Sequence, residues 1–272
     1  MQLAELLAGI ERVAPPVNAA SWDRSGLQVA CARSAVSRLA VCLDPTPESV
    51  RRALEARADC ILSHHPLSLS PDLPRRQDAY WEVLRLLLGA DVPLYAAHTT
   101  LDVNAAGPAA WLADEFGLLN RAVLEPVAPA PEHGKLPYGY GLAGDLPKPM
   151  AFEAFNALLS RLLDFQGGTV CGPVPGLVER VAYCTGSGSS LWREAGDAGA
   201  RLFITGDVKY HTALETRIGI LDVGHHSLEE EMMRRMALVL ADMFAGLEVI
   251  FVASASPLRP RRVAGDAGAP AL

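Results

Sequence analysis

Long apolar runs are missing from this 272-residue chain. Its uninterrupted apolar stretches are strand-sized, far short of the ~20 residues that span a bilayer, so no membrane role is expected. An excess of basic residues is missing too: Lys and Arg number 24 against 31 Asp and Glu, a net charge of −7. Nucleic-acid binding needs a concentrated basic face, so that class is disfavoured. Arg259, Arg261 and Arg262 do cluster, but among Pro, Gly and Ala, as in a solvated tail. The five cysteines (Cys31, Cys42, Cys60, Cys171, Cys184) are odd in number and form no CxxC pair. That argues against a disulfide framework or a zinc ribbon and suits the reduced thiols of a cytoplasmic protein. Cys42, Cys60 and Cys184 lie in apolar runs and are expected in the core. The N-terminus lacks a basic region followed by an apolar run and a small-residue cleavage site. Residues 1–12 are patterned instead as a short amphipathic helix, with Leu3, Leu6, Leu7 and Ile10 on one side.

What is present is the composition of a globular protein, 50% hydrophobic and 20% charged. Short β-branched or apolar runs alternate with helical patterns, the signature of βαβ units. Strands are predicted over 39–43, 59–63, 92–96, 181–184, 201–204, 220–223 and 247–252, and helices over 47–57, 79–88, 108–116, 151–163, 191–198, 210–217 and 228–244. A Pro-rich break divides the chain into an N-terminal lobe (1–126), a linker (127–137), a C-terminal lobe (138–252) and a flexible tail (253–272). The halves echo each other. Arg38-Leu-Ala-Val-Cys42 leads through a helix to a strand ending at His64, and Arg180-Val-Ala-Tyr-Cys184 leads through a helix to a strand ending near Asp207. The expected fold is α/β: two related α/β lobes with a cleft between their strand ends.

Six of the seven histidines fall in four short segments at or just after predicted strands. That is where ligands bind in open α/β sheets. In Ile61-Leu-Ser-His-His-Pro66, Pro66 pushes His65 toward extended geometry, so His64 and His65 can point to different sides of one cleft. The alternative is a surface turn with two incidental imidazoles. In Ala97-His-Thr-Thr-Leu-Asp102, a helical loop would put His98 and Asp102 on one face, and Asp102 would bridge two cations or merely cap a helix. In Ile204-Thr-Gly-Asp-Val-Lys-Tyr-His211, Asp207 is expected to cap the next helix rather than ligate, with His211 one turn in. The most specific segment is Asp222-Val-Gly-His-His-Ser-Leu-Glu229, where His225 and Glu229, four apart at a helix start, chelate from one face. Glu230 and Glu231 read as solvated charges at that helix start. His64, His65, Asp102, His225 and Glu229 form a mixed nitrogen and oxygen set suited to Zn, Mn, Fe or Ni, and two divalent cations would balance the buried carboxylates.

The order HHP, AHTxLD, TGDxxxH, GHHxxE, preceded by Ser21-Trp-Asp-Arg-Ser-Gly-Leu-Gln28, resembles the dinuclear-metal-centre hexameric proteins of the YbgI type. These are also called NGG-interacting-factor-like proteins, and many bacterial members bear the name GTP cyclohydrolase I type 2 homolog. The resemblance covers essentially residues 1–252. It implies two α/β lobes, a toroidal homohexamer and a two-metal site (Zn, Mn, Fe, Ni or Mg) on His64, His65, Asp102, His225 and Glu229. His98 and His211 match positions near the metals and are the candidate catalytic residues. Trp22 is expected to pack, and Asp23 to cap or orient. Two departures stand out: Ser68-Leu-Ser-Pro-Asp-Leu-Pro-Arg-Arg76 replaces an aromatic and basic stretch, leaving substrate preference open, and the short middle region lacks the inserted domain of longer relatives. The resulting expectation is a metal-dependent hydrolase of a small-molecule or nucleotide substrate. The alternatives are a non-catalytic metal-binding scaffold or metal-handling protein and, disfavoured by charge, a ring that binds nucleic acid.

Overall fold

Local signals place the first helices. Thr46 accepts from the Ser49 amide at 3.1 Å while Ser49 Oγ accepts from the Thr46 amide at 2.9 Å, a reciprocal cap followed by Pro47 in the first turn. Asp78 caps the next helix by accepting from the Trp81 amide, and Asp91 ends it in the left-handed conformation. The computed structural model describes residues 1–163, 165 and 168–258. Arg259, Arg261, Arg262 and the rest of the expected tail beyond Leu258 lie outside the described residues.

The chain runs α1 (Leu3–Val13), β1 (Gly26–Val29), β2 (Arg38–Cys42), α2 (Pro47–Glu55), β3 (Cys60–Ser63), α3 (Ala79–Ala90), β4 (Leu94–Ala96), a one-turn α4 (Thr99–Asp102) and α5 (Trp111–Glu115). A long hairpin, β5 (Leu119–Ala128) and β6 (Tyr138–Ala151), precedes α6 (Phe152–Leu162), β7 (Thr169–Cys171), β8 (Leu177–Tyr183) and α7 (Trp192–Asp197). Then come β9 (Leu202–Thr205), α8 (Tyr210–Glu215), β10 (Gly219–Asp222), α9 (His225–Met243) and β11 (Glu248–Phe251). The strands form two sheets, in the orders β1-β4-β3-β2-β11 and β5-β6-β8-β9-β10-β7. Parallel strands β4-β3-β2 and β8-β9-β10 make the centre of each, so their carboxyl ends gather at one edge per sheet.

These central strands are buried on both faces, which is why they read as continuous apolar runs. Alternate residues go to opposite sides: Leu39 and Val41 join a core shared with Ile204, Leu221 and Val181 of the other sheet, while Ala40 and Cys42 pack with Ile61 and Val50 outside it. On α9, Leu228, Met232, Met233, Met236 and Leu240 are each 0% exposed, and each contributes roughly 1.5–3 kcal/mol of burial. Cys42, Cys60 and Cys184 are buried, as their apolar settings imply. Among the described residues no helix is long and apolar enough to cross a membrane.

The Pro-rich stretch 127–137 closes the β5–β6 hairpin, with Ala128 opposite Tyr138. Sheet membership does not follow that stretch: β5, before it, pairs in the second sheet, and β11, after it, pairs with β2 in the first. β5 is an edge strand, so it tolerates Pro126 and shows little hydrophobic period.

The internal echo extends to atomic contacts. Arg38 Nη1 donates to Ala56 O at 2.6 Å, and Arg180 Nε donates to Ala198 O at 2.6 Å, each holding the end of the helix that crosses between parallel strands. Those helices are followed by Arg57 (φ 60°) and Gly199 (φ 85°), both left-handed.

Candidate metal centre

Six strand ends supply the site. His64 and His65 follow β3, His98 and Asp102 follow β4, and His225 and Glu229 follow β10 on the first turns of α9. Asp44 follows β2. The second sheet adds Thr185 and Gly186 after β8 and Gly206 and Asp207 after β9. The segments His98-Thr-Thr-Leu-Asp102 and His225-His-Ser-Leu-Glu229 are counterparts: each opens a helix after a parallel strand and presents a histidine and an acid four residues apart.

Every one of the four clustered histidines is held by Nδ1. His64 Nδ1 lies 2.8 Å from Ala97 O, His65 Nδ1 2.7 Å from Asp44 Oδ1, His98 Nδ1 2.7 Å from Asp23 Oδ1, and His225 Nδ1 2.7 Å from Asp207 Oδ2. Carbonyl and carboxylate oxygens only accept here, so the ring proton belongs on Nδ1 and Nε2 is left as the free donor. The rings crowd together, with centroids 5.0 Å apart for His64 and His65, 5.2 Å for His64 and His98, and 5.6 Å for His65 and His225.

His64 Nε2 stands 3.6 Å from both Asp102 Oδ1 and Glu229 Oε1. Glu229 Oε2 stands 3.2 Å from His65 Nε2 and 2.8 Å from His225 Nε2. Yet with the ring protons on Nδ1, His64 Nε2, His225 Nε2 and Glu229 Oε2 face one another as buried lone pairs with no hydrogen-bond donor between them. Buried polar atoms are normally paired, and leaving them unpaired costs about 1–3 kcal/mol each. Two donors bound about 2.0–2.1 Å from a tetrahedral cation stand about 3.3 Å apart, which is the range of these spacings. The residues therefore fit a cation in three overlapping groups: His64, Asp102 and Glu229; His65, His225 and Glu229; and His64, His65 and His98.

The electrostatics agree. Burial pushes the Glu229 carboxyl up, but His64, His225 and His65 outweigh it and hold it well below the usual range. Burial raises Asp102, more than the neighbouring imidazoles lower it. Burial pulls His65 down, yet Asp44 and Glu229 push it up to about 10, and the adjacent Glu229 carboxylate leads in pushing His225 up to about 9. A cation entering the cluster must displace protons from these rings.

Two glycines make room. A Cβ on Gly186 (φ 61°) would lie 2.2 Å from Glu229 Oε1, and one on Gly206 would lie 2.4 Å from the His225 amide. Neither glycine, nor Asp44, was picked out from the sequence. The available signal was their position at the carboxyl ends of β8, β9 and β2.

Other expectations change. Asp207 does not cap α8, whose preceding residue is Lys209; it binds His225 instead. His211 is exposed on α8, its ring 5.5 Å from that of Tyr210, and it belongs to none of the three groups. Trp22 is 57% exposed rather than packed, its ring 5.7 Å from His98. Asp23 orients: besides His98 it accepts from Ser25 Oγ, Thr99 Oγ1 and the Arg24 amide. Glu230 and Glu231 are paired rather than simply solvated, Glu230 with Ser254 and Glu231 with Arg234 and Arg235.

Residues 1–257 match the Duf34/NIF3 (NGG1p interacting factor 3) family along nearly the whole chain. The chain belongs to that family. A Streptomyces coelicolor relative named GTP cyclohydrolase 1 type 2 homolog is 30% identical over 235 residues, covering 84% of this chain and 81% of its own. A Bacillus cereus protein related to NIF3 shares the fold at a TM-score of 0.81 and 22% identity, over 95% of this chain and 97% of its own. The protein ybgI, of unknown function, matches at 0.80 and 25% identity, over 95% and 100%. These similarities and the two sheets make this an α/β protein of the NIF3 and YbgI kind.

Proposed function

We propose that this protein holds two divalent cations on His64, His65, Asp102, His225 and Glu229 and uses them to hydrolyse a small-molecule or nucleotide substrate. The observation that carries the reading is the set of buried, unpartnered donors, His64 Nε2, His225 Nε2 and Glu229 Oε2, facing one another across the ends of both sheets. Bound cations supply Lewis acidity, lowering the pKa of water and polarising an electrophile. Glu229, common to two donor groups, ties them together, and Asp102, which accepts from Thr185 Oγ1 at 3.2 Å, closes one side. His98, steadied by Asp23, is the candidate proton carrier at Nε2. His211, exposed on α8 and outside the three donor groups, is a second candidate. Relatives named GTP cyclohydrolase 1 type 2 homolog make GTP the first substrate to try. The chain is proposed to work in the cytoplasm as a homohexameric ring, which sedimentation of the purified protein tests.

A second reading has its own support: the donors come from both sheets, so bound cations also cross-link them, as in a metal-dependent scaffold. Protein loaded with Mn or Zn and offered nucleotides and simple esters separates the two. Turnover lost in D102A supports hydrolysis; full metal occupancy with no turnover of any of them favours the scaffold.

A further inference from the structure

Three carboxylates touch the clustered histidines from behind, and two of them do nothing else. Among the described residues, the Asp44 carboxylate has His65 Nδ1 as its sole hydrogen-bond partner, and the Asp207 carboxylate has His225 Nδ1. Asp23 differs, since it also holds Ser25, Thr99 and the Arg24 amide and so organises its whole loop. Asp44 and Asp207 side chains are 42% and 47% exposed, and ion pairs that open to solvent contribute little to stability. Their contacts are therefore poorly explained as devices for holding the fold.

Asp207 has a second peculiarity. Its φ is 55°, a left-handed backbone that costs free energy for any residue with a Cβ and that Asp and Asn tolerate best. Strain of this kind persists where the surrounding structure imposes it, often at functional sites. Asp207 is also the positional counterpart of His65: each is the second residue past the middle parallel strand of its sheet, β9 and β3. One position thus supplies a donor in the first sheet and a carboxylate behind a donor in the second.

We propose that Asp44 and Asp207 are positioning residues for the metal centre, fixing the tautomer and ring orientation of His65 and His225 so that both present Nε2 to the cations. The inference rests on the metal-binding reading above. A carboxylate on Nδ1 keeps the proton there, prevents the ring from turning its other nitrogen inward and strengthens Nε2 as a donor. The two residues come from different sheets, so each half of the centre is steadied from its own side.

The test uses full-length D44A and D207G, since glycine alone keeps the left-handed backbone without strain, together with D44N and D207N, whose amide oxygens still accept from Nδ1. Zn2+ affinity is measured by competition with a chromogenic chelator, and the visible spectrum of the Co2+-loaded protein reports ligand geometry. D44A and D207G are expected to bind about 10–100-fold more weakly, with the Asn variants less affected. The Co2+ absorption is expected to change, while melting of the metal-free protein stays as in the parent. Unchanged affinities and spectra in all four variants overturn the proposal. H225A separates the levels: an ion lost in H225A but retained at full affinity in D207G and D44A removes only the positioning role, whereas H225A binding like the parent removes the metal-centre reading as well.

Discussion

Arg38 and Arg180 hold matching places in the two sheets. Each lies on the first parallel strand of its unit, donates to the carbonyl ending the crossover helix, and pairs with an acid on the flanking strand, Glu248 on β11 or Asp145 on β6. Single R38A and R180A variants are expected to destabilise the protein by about 1–3 kcal/mol each, the range for charged hydrogen bonds. Lysine should restore only part of this, because a point charge cannot span both acceptors. Denaturant midpoints at constant slope check it.

Glu229 belongs to two of the three donor groups, whereas His225 belongs to one. H225A is therefore expected to lower the bound metal from two ions per chain to one, and E229A to remove both. Metal analysis of the dialysed variants measures the ratio. Equal losses in the two variants would count against the shared carboxylate.

Gly186 is expected to be intolerant of a methyl group. In G186A the new carbon meets Glu229 Oε1 and the left-handed backbone is strained, so metal binding should fall and stability should drop by about 1–3 kcal/mol. G176A is the control: a Cβ on Gly176 meets nothing within 4 Å, and a change within about 0.5 kcal/mol is expected. Melting temperature and metal content are read together.

Glu231 gives a pH dependence away from the metal site. Burial pushes its carboxyl up, but hydrogen bonds from Arg234 and Arg235 more than offset that and hold it below the ordinary 4.5. A depressed carboxyl stabilises the folded state at pH above 4.5 and loses that contribution as pH falls through its native value. The stability gap between the parent and E231Q should thus be widest near neutrality and shrink on acidification below pH 4.5. Urea unfolding across pH 3 to 7 (roughly the carboxylate range and above) shows it.

The central strands were legible because burial on both faces leaves apolar runs such as Cys60–Ser63 and Leu202–Thr205. The edge strands β1, β5 and β7 were not. β1 carries Leu27 half exposed, β7 is three residues long, and the β5–β6 hairpin mixes Pro126, Gly139 and Gly141 into a ladder of mixed burial. The start of α9 lay at His225, three residues before the predicted 228, because His-His-Ser offers no apolar period. Trp22 is exposed for a related reason: a motif names a residue, and neighbours decide whether it is covered. No residue of α8 is buried, so nothing in its pattern could orient His211.

By itself the sequence determined the donor chemistry. His225 and Glu229 lie one helical turn apart, His64 and His65 are adjacent past a buried strand, and spacing of that kind is local enough to be carried by the chain's own geometry. Only the tertiary structure decided that these donors meet across two sheets, that Glu229 is shared, and that Asp23, Asp44, Asp207 and the Ala97 carbonyl stand behind four rings. Hydrophobic periodicity encodes which face of an element is buried, whereas contacts between strand ends far apart in sequence depend on how whole sheets pack.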